Sequence, residues 1–153
     1  MTTKDKIIIA LIAIWVLVSI FMVAYSDYKN SQQNKVDIRD VVYVLQFVES
    51  DNGHNLEHGL DEVGILGIRP IMVDEVNRVL GKDLYKYSCR YNDDKSREMC
   101  LIFLSSQVKW YVGKYGRLPT EYMIASSWNT GSIVSPINTK YIKRYISCKK
   151  RLI

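Results

Sequence analysis

Cysteine and proline are scarce in this chain of 153 residues, which contains three of each. So few cysteines exclude a small disulfide-built scaffold, and the overall composition excludes collagen-like and low-complexity chains. Charged residues make up 24% of the sequence and hydrophobic residues 48%, which is too little charge for an intrinsically disordered chain. The length fits one domain, the net charge is +5, and no internal repeat is found.

Residues 7–25 form a long apolar run without charge, glycine or proline, and only Ser19 interrupts it. A helix of 19 residues just spans a bilayer, whose hydrocarbon needs about 20 residues. We therefore predict that residues 1–26 are a single transmembrane anchor. A cleaved signal peptide is the alternative, since Lys4 and Lys6 precede the run, but the run exceeds the roughly 7–15 residues of a signal core.

The lysines before the anchor favour a cytoplasmic N-terminus, which places the rest of the chain outside. We predict a single-pass membrane protein with a polar stalk over residues 27–37 and a folded domain over 38–153. That domain would lie in the periplasm or an equivalent space, or at a virion membrane.

The pattern of the domain is mainly helical. Apolar spacing, capping residues and glycine stops predict helices from Asp37 through Glu49, from Pro70 to Leu80, from Asp94 or Ser96 to Tyr115, from Thr120 to Trp128, and from Asn138 through the basic tail. The third of these is apolar on most sides, which predicts a buried helix at the centre of the fold. Glycines in 50–69 indicate a loop or a small β region.

Glu49 is the candidate acid. It ends an apolar helix, where the helix dipole and the neighbours Phe47 and Val48 favour the protonated form of its carboxyl. A carboxylic acid that stays neutral near pH 7 is the group needed to protonate a glycosidic oxygen.

Four segments carry a family resemblance, namely VESDN at 48–52, GILGIRP at 64–70, SSWNTG at 126–131 and TKYIKRY at 139–145. In this order and spacing they resemble the lytic transglycosylase domain of the lysozyme-like superfamily, in particular a small, often phage-encoded branch. Glu49 precedes Gly64 by fifteen residues, as in that family's first two motifs. The resemblance covers about residues 38–146 and implies a lysozyme-like helical domain with a small loop or β region.

The resemblance implies a role for each matching residue. Glu49 corresponds to the single catalytic acid that cleaves the bond between N-acetylmuramic acid and N-acetylglucosamine, and Ser50 to the residue that helps to hold it. The positions that correspond to substrate-binding residues, or that lie near the active site, are Gly67, Ile68, Trp128, Asn129 and Tyr141. Gly67 departs from the family, which usually has a substrate-binding glutamine there.

The implied function is local opening of the cell wall by a peptidoglycan lytic transglycosylase that needs no cofactor. Its partners would be the glycan strands, the membrane and assembly proteins of a virion or envelope, and no nucleic acid is expected. If Asp51, Asp61 or Glu62 positions a water, the same scaffold would be a hydrolytic lysozyme. A non-catalytic wall-binding or structural membrane protein is the alternative that Gly67 suggests.

Two other patterns compete with this interpretation. His54-Asn55-Leu56-Glu57-His58 fits the H-x-x-E-H pattern of zinc peptidases, but that pattern needs a helix, and Gly53 and Gly59 flank it here. We therefore predict no metal site. Cys89 could pair with Cys100, or all three cysteines, including Cys148, could be thiols.

The C-terminal end is strongly basic. It has six lysines and arginines between residues 140 and 151, and no acidic residue follows Glu121. A basic tail can bind an anionic polymer or lipid, and for an exported domain the anionic cell wall is the expected target. The alternative is a solvated helix end that aids solubility.

Overall fold

A computed structural model describes residues 14–23, 25, 36–56 and 61–152. The chain divides into two compact units, residues 1–35 and 36–153, and the division falls within the predicted stalk. Residues 14–23 of the first unit are helical, and most of their apolar side chains are exposed, Trp15 to 71%. No helix within the described ranges is both long and apolar enough to cross a bilayer. Residues 7–13 and 24 of the predicted anchor lie outside the described residues.

The second unit is mainly helical, as predicted, and it has five α-helices and one 3-10 helix in the part that is described. The helices are α1 (Ile38–Ser50), α2 (Pro70–Leu80), the 3-10 helix (Tyr87–Tyr91), α3 (Asp93–Tyr115), α4 (Glu121–Thr130) and α5 (Thr139–Leu152). A single antiparallel bridge between Val63 and Ile68 is the β structure of the described loop region.

The helix boundaries follow from local capping. Asp37 accepts a hydrogen bond from the Arg39 amide at the start of α1, and Thr120 accepts one from the Met123 amide at the start of α4. Gly81, Gly116 and Gly131 end α2, α3 and α4 in the left-handed conformation. Helices α2 and α3 therefore end before Gly81 and Gly116, as predicted. Helix α4 was predicted to reach Trp128 and continues two residues beyond it.

The predicted start of α3 was wrong by one to three residues. Asn92 is the N-cap, because its side chain accepts a hydrogen bond from the Lys95 amide at 2.9 Å. Ser96 is buried instead and its hydroxyl donates to the Arg90 carbonyl. The capping role thus falls to the residue before the two aspartates.

Helix α3 is buried mainly over its first half, and in its second half only Tyr111 is buried. It packs against α1, α2, α4 and the 3-10 helix, and its buried apolar side chains in the first half are Met99, Cys100, Phe103 and Leu104. Trp110 and Tyr115 in the last turns are exposed to 47% and 46%. At 23 residues α3 is much longer than α1, α2 and α4, so its end extends past the helices that cover it.

Of the two alternatives for the cysteines, the structure has the three thiols, because Cys89, Cys100 and Cys148 are all free. The Cys100 thiol lies near Glu49 and Tyr141, whereas that of Cys89 lies near Tyr85 and Lys95. Because the two thiols face different neighbourhoods, they are not positioned to bond.

Thiol labelling tests this arrangement. Cys100 and Cys148 are buried while Cys89 is half-buried, so we expect iodoacetamide to modify Cys89 first in the native protein. The other two should react only after unfolding, since burial raises the pKa of the Cys100 thiol well above its usual value. The mass of the unreduced chain should show three thiols, and a mass two hydrogens lower would contradict this.

Candidate active site

Glu49 is the second-last residue of α1, where the carboxyl group lies at the negative end of the helix dipole. Its side chain is half-buried, and Val48 beside it is fully buried. Asp51 then reverses the chain in the left-handed conformation, with its amide donating to carbonyls of the last turn. The helix therefore ends abruptly and leaves Glu49 at the edge of the core.

The side chain of Tyr141, from α5, holds the Glu49 carboxyl. The Tyr141 hydroxyl donates a hydrogen bond of 2.5 Å to Oε1 of Glu49, across 92 positions of sequence. Burial, and then the negative charge of Glu49, raise the pKa of the Tyr141 hydroxyl well above its ordinary value. Tyr141 therefore stays protonated at all physiological pH values and acts as a permanent donor.

A cavity of about 220 Å³ opens beside the acid. Its lining brings five of the sequence-predicted site residues together. These are Glu49, Gly67, Ile68, Trp128 and Asn129. The other two do not line it: Tyr141 contacts Glu49, and Ser50 is fully buried behind the loop that forms one wall.

That wall is the loop over residues 61–69, which three side chains hold in place. The Ser50 hydroxyl donates to the Ile65 carbonyl at 2.7 Å, and the Trp128 indole donates to the Leu66 carbonyl at 3.2 Å. Arg90 donates to the carbonyls of Asp61 and Ile68 at 2.9 and 3.1 Å. Apart from the bridge between Val63 and Ile68, no sheet pairs the backbone of this loop. The side-chain donors therefore satisfy carbonyl groups that a sheet would otherwise pair.

Trp128 and Asn129 have different surroundings. Trp128 is 8% exposed and packs edge-on against Phe103. The N–H of its indole ring, the only donor of the side chain, already donates to the Leu66 carbonyl. Trp128 can therefore offer an apolar edge to the cavity but no hydrogen bond. Asn129 is exposed, and its side-chain oxygen accepts from Asn138 at 2.9 Å, which orients the amide group at the cavity.

A second carboxylate lines the same cavity. Glu62 accepts a hydrogen bond of 2.9 Å from Arg69, which is also part of the lining. Asp51 and Asp61 are exposed and do not belong to the lining. Of the three acids that sequence reasoning considered for positioning a water, only Glu62 therefore shares the cavity with Glu49.

Gly67 is left-handed, with a φ of 57°, and its amide donates to the Gly64 carbonyl within a tight turn. A residue with a side chain pays about 1–2 kcal/mol in this conformation. The family's glutamine would thus be strained in this loop as it is built here. The cavity is consequently without the polar side chain that the resemblance would place there.

The H-x-x-E-H pattern needs a helix, and its described part, residues 54–56, is not helical. Residues 51–54 form turns, and residues 55 and 56 have no regular structure. Glu57 and His58 lie outside the described residues. Among the residues whose positions are described, no group of three potential ligands could hold a metal ion.

Sequence reasoning missed two arginines at this site. Arg69 pairs with Glu62 in the cavity, and Arg90 supports the wall from the 3-10 helix. Arg69 directly precedes Pro70, the last residue of the GILGIRP segment, so its place at the loop end was a usable signal. Arg90 lies 22 residues beyond Ile68, and nothing in its local sequence marks it.

Replacing Tyr141 by phenylalanine tests the hydrogen bond to the acid. A hydrogen bond to a charged group contributes about 1.5–3 kcal/mol, so we expect any reaction that uses the Glu49 carboxyl as its acid to slow roughly ten- to hundredfold. Tyr145→Phe is the control, because Tyr145 is buried one turn later and its hydroxyl donates to Glu121 instead. Both variants should lose stability, and equal rates in the two would contradict a role for Tyr141 at Glu49.

Comparison with known proteins gives no match among family models, curated proteins or solved structures. The resemblance to lytic transglycosylases therefore depends on the sequence segments alone. The structural facts that bear on function are the half-buried Glu49, its tyrosine donor and the cavity beside them.

Proposed function

We propose that this protein cleaves the glycan strands of peptidoglycan as a lytic transglycosylase, with Glu49 as its single acid. The observation that carries the proposal is that Glu49, fixed by Tyr141, lines a cavity together with Gly67, Ile68, Trp128 and Asn129. Residues from three distant parts of the chain meet there, in the combination that the resemblance implies for a sugar cleft.

The chemistry needs one proton and no water. Protonated Glu49 gives its proton to the bridging oxygen, and the bond from that oxygen to C1 of the muramic acid breaks. Because Tyr141 donates to Oε1, the transferable proton is carried on Oε2. The sugar's N-acetyl oxygen stabilises the cationic C1, the C6 hydroxyl attacks it, and Glu49 takes the hydroxyl proton back. The products are a 1,6-anhydro end and a free 4-hydroxyl end.

Hydrolysis is the second candidate, and Glu62 favours it. Ordinary glycosidases use two carboxyl groups that flank the bond, and Glu62 lines the same cavity as Glu49. In that reaction Glu62 would deprotonate a water that adds to C1. Arg69 already donates a hydrogen bond to Oε1 of Glu62, which leaves less of this carboxylate to accept a proton from water, so we rank this reaction second.

A non-catalytic wall-binding protein is the third candidate. Its support is Gly67, which supplies no side chain for a substrate hydrogen bond. We rank it last because a protein that only binds the wall does not need the Glu49 carboxyl held in one position by a buried tyrosine hydroxyl.

We further propose that the helical domain is lysozyme-like and that residues 7–25 anchor it in a membrane with the domain outside. The exposed apolar side chains of residues 14–23 support an anchor, since lipid would cover them. Such an anchor would confine cleavage to a thin shell at the membrane, which suits local opening of the wall by a virion or envelope assembly.

Product analysis separates the three candidates. The full-length chain in a non-ionic detergent is incubated with purified peptidoglycan, and the soluble fragments are identified by mass spectrometry. Fragments with 1,6-anhydro ends support the lytic transglycosylase, and reducing ends support the lysozyme. Intact strands that still retain the protein would support the wall-binding protein and overturn both enzymatic candidates.

A further inference from the structure

Helix α5 presents a continuous basic stripe to solvent. Its buried face is Tyr141, Ile142, Tyr145 and Cys148, which fixes the opposite face as the exposed one. The exposed cations, which we call the α5 stripe, are Lys140, Lys143, Arg144, Lys150 and Arg151. They recur at the spacing of one helix face and extend over about 16 Å at 1.5 Å per residue.

The stripe is not compensated by acidic groups on its own helix. Helix α5 contains no aspartate or glutamate, and the last acidic residue of the chain is Glu121 in α4. Glu121 is already occupied by Lys149, whose ammonium reaches its two oxygens at 2.6 and 2.7 Å. Lys149 therefore belongs to the internal ion pair, and the five stripe residues are left to face solvent.

The stripe begins next to the candidate active site. Arg144 lies close enough to Tyr141 to lower its pKa against the larger effect of burial, and Tyr141 is the donor to Glu49. Asn138, which caps α5 by accepting from the Tyr141 amide, also bonds to Asn129 of the cavity. The stripe thus begins on the turn of α5 that holds Tyr141, the residue that bonds to Glu49 of the cavity.

We propose that the α5 stripe binds the carboxylate groups of the peptide stems on the same polymer whose glycan strand occupies the Glu49 cavity. This inference rests on the proposed function. Carboxylates suit lysine and arginine, and arginine can hold them with two hydrogen bonds. The extended row of charges fits a repeating polyanion better than a single small anion.

Two properties of α5 argue against other polyanions. A helix that lies on a membrane combines cations with exposed apolar side chains, but the exposed positions of α5 are basic or hydroxyl residues such as Ser147. Single-stranded nucleic acids need aromatic side chains on which bases stack, and both tyrosines of α5 are buried. Carboxylate-bearing peptides need only the charges.

The test measures binding to insoluble peptidoglycan sacculi as a function of salt. The full-length chain in non-ionic detergent carries Glu49→Gln so that the sacculi stay intact. The stripe variant adds Lys140→Gln, Lys143→Gln and Arg144→Gln. The control variant adds Lys82→Gln, Lys86→Gln and Lys109→Gln, which remove the same charge from exposed positions elsewhere.

At low salt we expect the stripe variant to bind roughly ten- to hundredfold more weakly, since each exposed ion pair contributes about a factor of two to five. The control should bind like the parent. Sacculi whose stem carboxylates have been converted to amides with a carbodiimide and ammonia should bind parent and stripe variant equally weakly, and 0.5 M salt should abolish the difference on untreated sacculi.

Three results would overturn the inference. These are equal binding by the stripe and control variants, undiminished binding of the parent to amidated sacculi, and tighter binding to vesicles of anionic lipid or to single-stranded DNA than to untreated sacculi. Failure of the proposed activity is seen separately, as uncleaved strands in the product analysis together with binding here that depends on salt and on the stem carboxylates.

Discussion

Glu49→Gln should reduce the release of fragments from peptidoglycan about a hundred- to ten-thousandfold, because a positioned general acid contributes about 10²–10⁴ and the lytic reaction has no second acid to replace it. Glutamine has the same shape and can still accept the hydrogen bond from Tyr141. Binding to peptidoglycan and the melting temperature should therefore change little. Initial rates of fragment release and thermal unfolding of both proteins measure these effects.

Glu62→Gln is the matched control for the same experiment. Glu62 lines the cavity, and its ion pair with Arg69 is partly exposed, so its loss should cost at most about 1 kcal/mol of stability. The lytic mechanism predicts a rate within about fivefold of the parent and unchanged anhydro products. Full activity of the Glu49 variant would remove Glu49 from its role, and loss of activity in both variants would favour hydrolysis.

Gly64→Ala should destabilise the helical domain by about 2–5 kcal/mol. A Cβ atom at this position would lie 2.0 Å from the backbone carbonyl oxygen of Arg90, which is far inside any real contact. Relieving such a clash costs about 1–3 kcal/mol, and the left-handed conformation, with φ of 76°, adds about 1–2 kcal/mol. Because a carbonyl cannot move like a side chain, the loop and the 3-10 helix must separate.

The measurement is thermal unfolding, where each kcal/mol corresponds to roughly 4 °C for a domain of this size. Gly81→Ala is the control, since Gly81 has a φ of 67° but open space around its Cβ position. The Gly81 variant has the cost of the left-handed conformation but no clash, so its free energy of unfolding should fall by only about 1–2 kcal/mol. Equal losses for the two glycines would show that the loop does not pack against Arg90 as described.

Local chemistry made the helix boundaries predictable. Asp37 and Thr120 cap their helices, Pro70 occupies a first turn where no amide is needed, and Gly81 and Gly116 end theirs in the left-handed conformation. Each signal acts over four or five residues, so it is visible in the sequence. At the start of α3 the sequence offered Asp94 or Ser96, but the cap is Asn92, which is a capping residue of the same kind.

Which side chains of a helix are buried was less predictable, because burial depends on the helices that pack against it. The apolar residues of α3 continue to Tyr115, but only helices of sufficient length could cover them, and α1, α2 and α4 are shorter. Whether Cys89 and Cys100 form a disulfide likewise depends on which neighbours each thiol faces. Tertiary packing sets both the burial of α3 and the state of these cysteines, and the sequence pattern does not contain it.

The positions of some predicted site residues agree with the resemblance, while their roles stay predictions. The motif resemblance named Glu49, Trp128 and Tyr141, of which the first two line one cavity and the third bonds to Glu49. It could not show that the Trp128 indole is used to hold Leu66, or that Arg90 supports the loop from the 3-10 helix. Such bonds join residues 22 to 62 positions apart, and no spacing rule relates them.

The most direct test of single-acid cleavage is to run the reaction of the full-length chain on purified peptidoglycan in water enriched with ¹⁸O. The intramolecular attack of the C6 hydroxyl predicts that new muramic acid ends are anhydro sugars without the heavy isotope. One ¹⁸O atom in each new end would contradict it, since water would then have been the nucleophile, and an absence of new ends would contradict cleavage altogether.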